Sequence, residues 1–404
     1  MNNGDAFFDN LPKDWTITKI GAVFDIKQGK SLSSRKQTGI YLKPFLRTSN
    51  VFWGRLDLSH LDEMDFTDDE CKALTLEYGD LLVCEGGDIG RTAIWRNEKT
   101  ECYYQNHLHR LRVKDEKIES LFIMYWMQVA LTQFGIYEGF GNKTTIPNLS
   151  SSHLREFILP VPEKKEQQKI AAILSKIQQT IEIQESIIAK TRELKKSTLH
   201  HVFTHGLLGE KLKETEIGPI PASWSVQRFE EFAILHRGYD LPIQDRTSGS
   251  VPIVGSNGVV GYHDQSKVKG PGVVTGRSGS IGISSYVADD YWPLNTGLYV
   301  EDFHRNDPLY VHYFFQSFNF GQYAAGVSVP TLNRNLVHAV LISVPPIVEQ
   351  KEIVKILKTI DQKIEIHTAK KSTLQDLFKT MLNRLMTGEI RVKDLDIDVS
   401  EVST

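Results

Sequence analysis

The chain has 404 residues, too many for one ordinary hydrophobic core and enough for two domains with connecting elements. Its composition, 40% hydrophobic and 24% charged, is that of a folded globular protein, and no run of about 18 apolar residues exists, which excludes a membrane-spanning helix and a membrane partner. A net charge of −3 argues against indiscriminate nucleic-acid binding.

In chain order, the first nine residues are polar and acidic, without a secretory h-region. Residues 20–26 and 79–84 read as strands and residues 121–134 as a helix. The three cysteines, Cys71, Cys84 and Cys102, fit no metal-ligand spacing and read as reduced thiols of a cytoplasmic protein. After Pro162 a long amphipathic pattern begins, with apolar residues at Ile170, Ile173, Leu174, Ile177, Ile181, Ile187, Ile188, Leu194, Leu199 and Val202. His205-Gly206 supplies a C-cap. Residues 208–222, with Gly218-Pro219 and Pro221, read as a linker. In the second half, residues 273–275 read as a strand and 309–320 as a helix. Pro345-Pro346 opens a second long pattern through Ile353, Ile356, Leu357, Ile360, Ile364, Leu374, Leu377, Phe378, Met381 and Leu385, closed by Thr387-Gly388.

Each long helix of roughly 40 residues would extend about 60 Å, more than a normal globular helix, so the two are expected to pair as a coiled coil. The seam would join Ile170, Leu174, Ile177, Ile181 and Ile188 to Ile353, Leu357, Ile360, Ile364 and Leu374. The alternative is two helices packed separately on their own domains. Each helix carries eight basic and five acidic residues, net +3, so the remainder carries −3 − 6 = −9. The expected division is a domain at 1–160, a spacer helix at 161–207, the linker at 208–222, a second domain at 223–343, a second spacer helix at 344–388 and a polar tail at 389–404. The domains are mixed α/β.

An internal repeat underlies this division. Leu11-Pro12-Lys13-Asp14-Trp15 matches Ile220-Pro221-Ala222-Ser223-Trp224, and Gly29 matches Gly238, at an offset of 209. Ile89-Gly90 matches Ile281-Gly282 at 192, and Asn106 matches Asn295 at 189. From Pro147 and Pro330 onward the offset holds at 183, pairing Val161-Pro162 with Val344-Pro345 and Glu166-Gln167 with Glu349-Gln350. The first copy thus carries 209 − 183 = 26 extra residues, all within its domain, whereas the helices repeat without insertion. A variable, loop-rich domain precedes a helix held in register by packing.

With these features the chain resembles the DNA-specificity subunit of type I restriction-modification systems. The resemblance rests on Leu159-Pro160-Val161-Pro162 with Glu166-Gln167-Gln168-Lys169-Ile170, repeated as Val344-Pro345-Pro346 with Glu349-Gln350-Lys351-Glu352-Ile353. Further support comes from Lys213-Glu214-Thr215-Glu216-Ile217-Gly218-Pro219-Ile220-Pro221 before Trp224, and from Gly79-Asp80-Leu81-Leu82 leading to Gly86-Gly87-Asp88-Ile89-Gly90. The second domain departs from the first, with Gly272-Val273-Val274 in place of Asp80-Leu81-Leu82. The resemblance implies two target-recognition domains, related by a pseudo-two-fold, on two long antiparallel coiled-coil helices. Each domain would read one half of a bipartite, asymmetric site in double-stranded DNA. Two methylation subunits would bring S-adenosylmethionine, and up to two restriction subunits would bring ATP and Mg, so that this chain holds no cofactor.

The residues themselves point away from catalysis. There is no P-loop pattern, no Asn-Pro-Pro-Tyr-like motif and no metal-ligand set around His107 and His109. Glycine-rich 86–90 and 278–282 read as strand-to-strand turns, and His200, His201 and His205 as surface histidines at a helix end. Base reading calls for Arg, Lys, Asn and Gln at loops or strand ends, with hydroxyl groups for phosphates. The first domain offers Lys30, Ser34, Arg35 and Lys36; Arg47 and Asn50; Arg91 and Gln105; and Lys143 and Thr144. The second offers Arg237 and Tyr239, then Asn257, Arg277, Ser278 and Arg334. Arg277 falls in the loop equivalent to Glu85 and Gly86, so the two domains should read different bases. Asn106 and Asn295, shared by both copies, fit a structural capping role better. Competing readings are a DNA-modifying enzyme with an unseen site and a coiled-coil scaffold that binds no DNA.

Overall fold

The computed structural model describes residues 8–31, 39–135, 149–326, 330–400 and 402. These form two compact units, one of residues 1–183 with 371–404 and one of residues 184–370.

In the first unit a four-stranded antiparallel sheet has the order Phe24–Gln28, Leu108–Val113, Leu81–Cys84, Thr92–Ile94. The strand Leu81–Cys84 is buried along its whole length, which its unbroken apolar run requires. A second sheet sets Leu42–Leu46 between Asp62–Asp65 and Tyr103–Tyr104. The helix Ser120–Val129 is apolar on every side and lies in the core, the only environment such a helix tolerates. Finally Thr16–Lys19 pairs with Ile158–Val161, joining the entry of the domain to its exit. The strand expected at 20–26 begins late. Ile20–Val23 is a single helical turn, because that spacing turns both Ile20 and Val23 into the core while Ile20 N donates to Phe157 O at 2.8 Å.

The second unit repeats this plan. Its sheets run Ile234–Arg237, Gly297–Asp302, Gly272–Gly276, Ser284–Val287 and Gly258–His263, Val251–Gly255, Trp292–Pro293. Pro308–Ser317 takes the place of the buried helix, and Ser225–Arg228 pairs with Leu341–Val344. Part of the 26-residue surplus of the first copy is now visible. Ser256-Asn257 joins two strands in a tight hairpin, whereas the first unit inserts the short turn Thr48–Asn50 and a small hairpin there, followed by helix Asp68–Leu74. The departure of Gly272 from Asp80 has a steric cause. A Cβ at Gly272 would come within 2.2 Å of the Tyr291 ring, while in the first unit buried Asp80 accepts from Arg112 Nε at 2.8 Å and Nη2 at 2.7 Å.

The motifs that repeat are those that fasten each domain to its helix. Trp15 Nε1 donates to Glu166 Oε2 at 3.3 Å, and Trp224 Nε1 donates to Glu349 Oε2 at 2.9 Å. Gln167 accepts from Glu119 N and donates to Lys117 O and Pro162 O; Gln350 accepts from Asp307 N and donates to Asn306 Oδ1 and Pro345 O. All four side chains of these Glu-Gln pairs are buried, so losing a partner would strand a polar group.

The long helices run Lys164–Thr204 and Ile347–Met386. In the first unit Ile170, Leu174 and Ile181 share a core with Phe378, Leu382 and Leu385, and Ile177 and Leu374 pack at its edge. In the second unit Ile188, Ile353 and Leu357 are buried, and Ile360 and Ile364 are half-buried. The pairing is antiparallel there, since Gln184 meets His367 and Lys195 meets Asp361. Three residues of the apolar pattern, Leu194, Ile356 and Leu377, point outward instead. The seam also holds polar residues: Gln184 and Thr191 are buried, His367 Nδ1 donates to Gln184 Oε1 at 2.7 Å, and Lys195 Nζ lies 2.7 Å from Asp361. Polar groups in a seam fix register, because any slip leaves them unpaired.

Two segments differ from expectation. Residues 208–222 hold a small hairpin, Leu212–Lys213 with Ile220–Pro221, whose Lys213 Nζ donates to Ala222 O and Trp224 O. The segment expected as a polar tail is anchored: Val392 and Val402 are buried in the first core, and Arg391 bonds Glu166 and Asp14.

Candidate nucleic-acid interface

Both units present polar side chains at one end of the four-stranded sheet, where the strands meet the turns after Gln28, Cys84, Arg237 and Gly276. Gly29 and Gly238 make that end possible. A Cβ on Gly29 would come within 2.3 Å of the Tyr104 and Gln105 carbonyl oxygens, and one on Gly238 within 2.2 Å of Leu294 O. Only glycine lets these two backbones approach so closely. The same ties follow in each unit: Asn106 N donates to Lys30 O at 2.9 Å, and Asn295 N donates to Tyr239 O at 3.0 Å. Asn295 also uses its side chain, donating from Nδ2 to Asp240 Oδ1.

The candidate contacts separate into two groups. Several are engaged inside the fold. The Lys30 ammonium sits between Glu70 Oε2 and Asp65 O, 5.1 Å from the Phe66 ring centre. Asn50 is buried, accepting from Arg47 N and donating to Asp57 O and His60 O, and Gln105 is 4% exposed. Arg91 bonds Thr48 O at 3.0 Å and pairs with Asp88, and Arg334 donates to Leu235 O at 3.3 Å. The others reach the surface. Arg47 pairs with Asp62 while half exposed, Arg237 lies 3.6 Å from Asp240, and Asn257 tops its hairpin. Tyr239 stacks on Tyr299 with its hydroxyl 3.2 Å from the Tyr299 hydroxyl. Arg277 and Ser278 are half-buried at the sheet end, Arg277 donating to Asn295 O at 3.3 Å. Ser34, Arg35, Lys36, Lys143 and Thr144 lie outside the described residues.

Gln28 was absent from the sequence-based set. Its side chain donates to Glu85 Oε2 at 3.0 Å and to Asn106 O at 2.8 Å. The repeat offset of 209 already placed it opposite Arg237, so the signal was present in the alignment of the two copies.

Neither buried cysteine of the first unit is an activated nucleophile. Burial raises the Cys84 thiol to about 11 and the Cys102 thiol to about 12, which keeps both protonated at neutral pH. His109 is held below its ordinary value by burial, with Nε2 donating to Leu149 O at 3.0 Å. The glycine-rich segments are turns: Gly90 N donates to Cys84 O at 2.9 Å, and Gly276 N donates to Ile283 O at 3.1 Å. Among the described residues no group of three His, Cys, Asp or Glu could hold a metal ion, and no helix is long and apolar enough to cross a membrane.

The type I restriction modification DNA specificity domain matches this chain twice, over residues 12–192 and 221–376. Those two segments are the two copies of the repeat with their helices. The chain therefore belongs to the type I restriction-modification DNA specificity family, as a specificity subunit with two such domains in tandem. It is 25% identical over 407 residues to the putative type I restriction enzyme MjaX specificity subunit of Methanocaldococcus jannaschii, covering 95% of each chain. It is 22% identical over 420 residues to the MjaVIII specificity subunit of the same organism, covering 96% of this chain and 95% of that one. Among solved structures it is similar to the type I restriction-modification S subunit from M. genitalium, with a TM-score of 0.62 and 18% identity over 93% of this chain and 96% of that one. A chain from a study of assembly and conformational transition in the type I system gives 0.57, with 14% identity over 94% and 99%.

Proposed function

We propose that each unit reads one half of a bipartite, asymmetric sequence in double-stranded DNA, and that the long helices set the gap between the halves. The observation that carries this reading is the tandem specificity domain on a duplicated scaffold whose fastening residues repeat, while sheet-end residues such as Gln28 and Arg237 or Glu85 and Arg277 differ. Direct readout needs rigid placement of a few polar groups against base edges, and the hydrogen-bonded side chains at the sheet ends support that reading. The chain performs no chemistry itself. Two methylation subunits carrying S-adenosylmethionine dock on it, and restriction subunits using ATP and Mg join for cleavage, all in the cytoplasm.

Methylome sequencing of cells with the methylation partner, with and without this chain, tests the proposal. The expected result is one bipartite motif with a fixed gap, methylated only when the chain is present. A palindromic motif, or methylation indifferent to the chain, would refute it, as would cleavage or methyl transfer by the purified chain alone.

A further inference from the structure

The duplicated scaffold marks one position where the backbone is the same and the chemistry is reversed. In the first unit Glu85 N donates to His107 O at 2.9 Å and Leu149 N donates to Glu85 O at 2.8 Å. In the second unit Arg277 N donates to Thr296 O at 2.9 Å and Leu332 N donates to Arg277 O at 2.8 Å. The partners are equivalent residues of the repeat, at offsets of 189 for 107 and 296 and 183 for 149 and 332. Both side chains therefore start from the same clamped backbone position, one a carboxylate whose side chain is 13% exposed and the other a half-buried guanidinium. Their neighbours differ in the same sense. Glu85 accepts from Gln28 Nε2 and has His107 Nδ1 at 4.0 Å, whereas the second unit has Arg237 at the position of Gln28, 3.6 Å from Asp240.

Residues with a shared structural task are identical in the two copies, as Trp15 and Trp224, Glu166 and Glu349, and Gln167 and Gln350 are. A phosphate contact would call for a donor in both units, and a carboxylate is repelled by phosphate. A carboxylate in one unit and a guanidinium in the other suit base edges, where the donor and acceptor pattern differs from half-site to half-site. The guanidinium fork matches guanine O6 and N7, and a carboxylate accepts from the cytosine N4 amino group.

Resting on the proposed reading of one half-site per unit, we infer that Glu85 and Arg277 are corresponding specificity determinants, Arg277 selecting a guanine and Glu85 a cytosine, in different halves of the target. Arg277 is presented by Asn295 O at 3.3 Å, and Glu85 is oriented by Gln28 at 3.0 Å.

The test is selection of bound duplexes from a randomised pool by the assembled complex with the methylation subunits, for the native chain and for Arg277→Gln, Arg277→Lys and Glu85→Gln. Arg277→Gln should lower discrimination at one G·C pair of one half-site by about 5- to 100-fold and leave the other half-site intact. Arg277→Lys keeps the charge without the planar fork, and should lose the same preference with little change in total affinity. Glu85→Gln should relax one G·C pair in the opposite half. Unchanged motifs, a uniform loss of affinity without relaxed bases, or changes in both halves from one substitution would each overturn the inference while leaving the bipartite reading standing. Failure of all three variants to assemble would assign the position a structural role and overturn it too. If the native complex itself selects no bipartite motif, the proposed function falls, and this inference with it.

Discussion

Arg391 connects the C-terminal segment to the buried start of the first long helix, and its removal has a calculable consequence. Its Nε and Nη2 donate to Glu166 Oε1 and Oε2 at 2.8 and 2.9 Å, and Nη1 and Nη2 donate to Asp14 at 3.0 and 2.6 Å. The side chain of Glu166 is 2% exposed, so in Arg391→Ala its carboxylate would keep, among the described residues, Trp15 Nε1 at 3.3 Å. Breaking a buried pair on one side costs about 3–5 kcal/mol. The arginine itself is 27% exposed and Trp15 remains, which brings the expectation to roughly 2–3 kcal/mol, with little added by exposed Asp14. For a unit of this size about 2–4 °C is lost per kcal/mol, so the first unit should melt roughly 4–12 °C lower. Differential scanning calorimetry would measure it. Glu166→Gln added to Arg391→Ala should recover part of the loss, because a neutral amide carries no uncompensated charge. A shift under about 1 °C in the single variant, or a double variant less stable than the single, would refute the assignment of Arg391 as the counter-ion of Glu166.

Two further outcomes follow from the geometry. Gly29→Ala and Gly238→Ala place a methyl group within about 2.3 Å of backbone carbonyl oxygens, so each should destabilise its own unit by more than about 2 kcal/mol, read as a lower denaturant midpoint. His312 is held down to about 4 by burial first and then by Lys195, against the opposing effect of Asp361. The folded second unit thus refuses a proton that the unfolded chain accepts. Stability is complete above about pH 6.5 and falls by up to about 2–3 kcal/mol as pH drops from 6.5 towards 4. Urea unfolding at pH 7 and pH 5 should show that slope, and His312→Asn should flatten it.

Much of the architecture was legible without coordinates. The 183-residue offset held from Pro147 to Leu174 and the two apolar stripes announce a duplicated unit ending in a long helix. The Trp and Glu-Gln motifs are repeated in the sequence, and the structure explains them as the fastening of domain to helix. Hydrophobic periodicity detects burial of apolar side chains only, so it does not register Gln184, Thr191 and Lys195 in the seam and includes exposed Leu194 in the apolar pattern. Whether a polar residue is buried depends on a partner delivered from far along the chain, as His367 is to Gln184 and Glu70 is to Lys30. Composition likewise made residues 389–404 a polar tail, although one arginine and two valines tie that segment to residues more than 200 positions away. The sequence by itself therefore determined the repeat, the helices and the family. Tertiary structure alone decided which polar groups are used inside the fold and which remain at the sheet ends to meet a ligand, because pairing energies belong to contacts in space and leave no periodic mark along the chain.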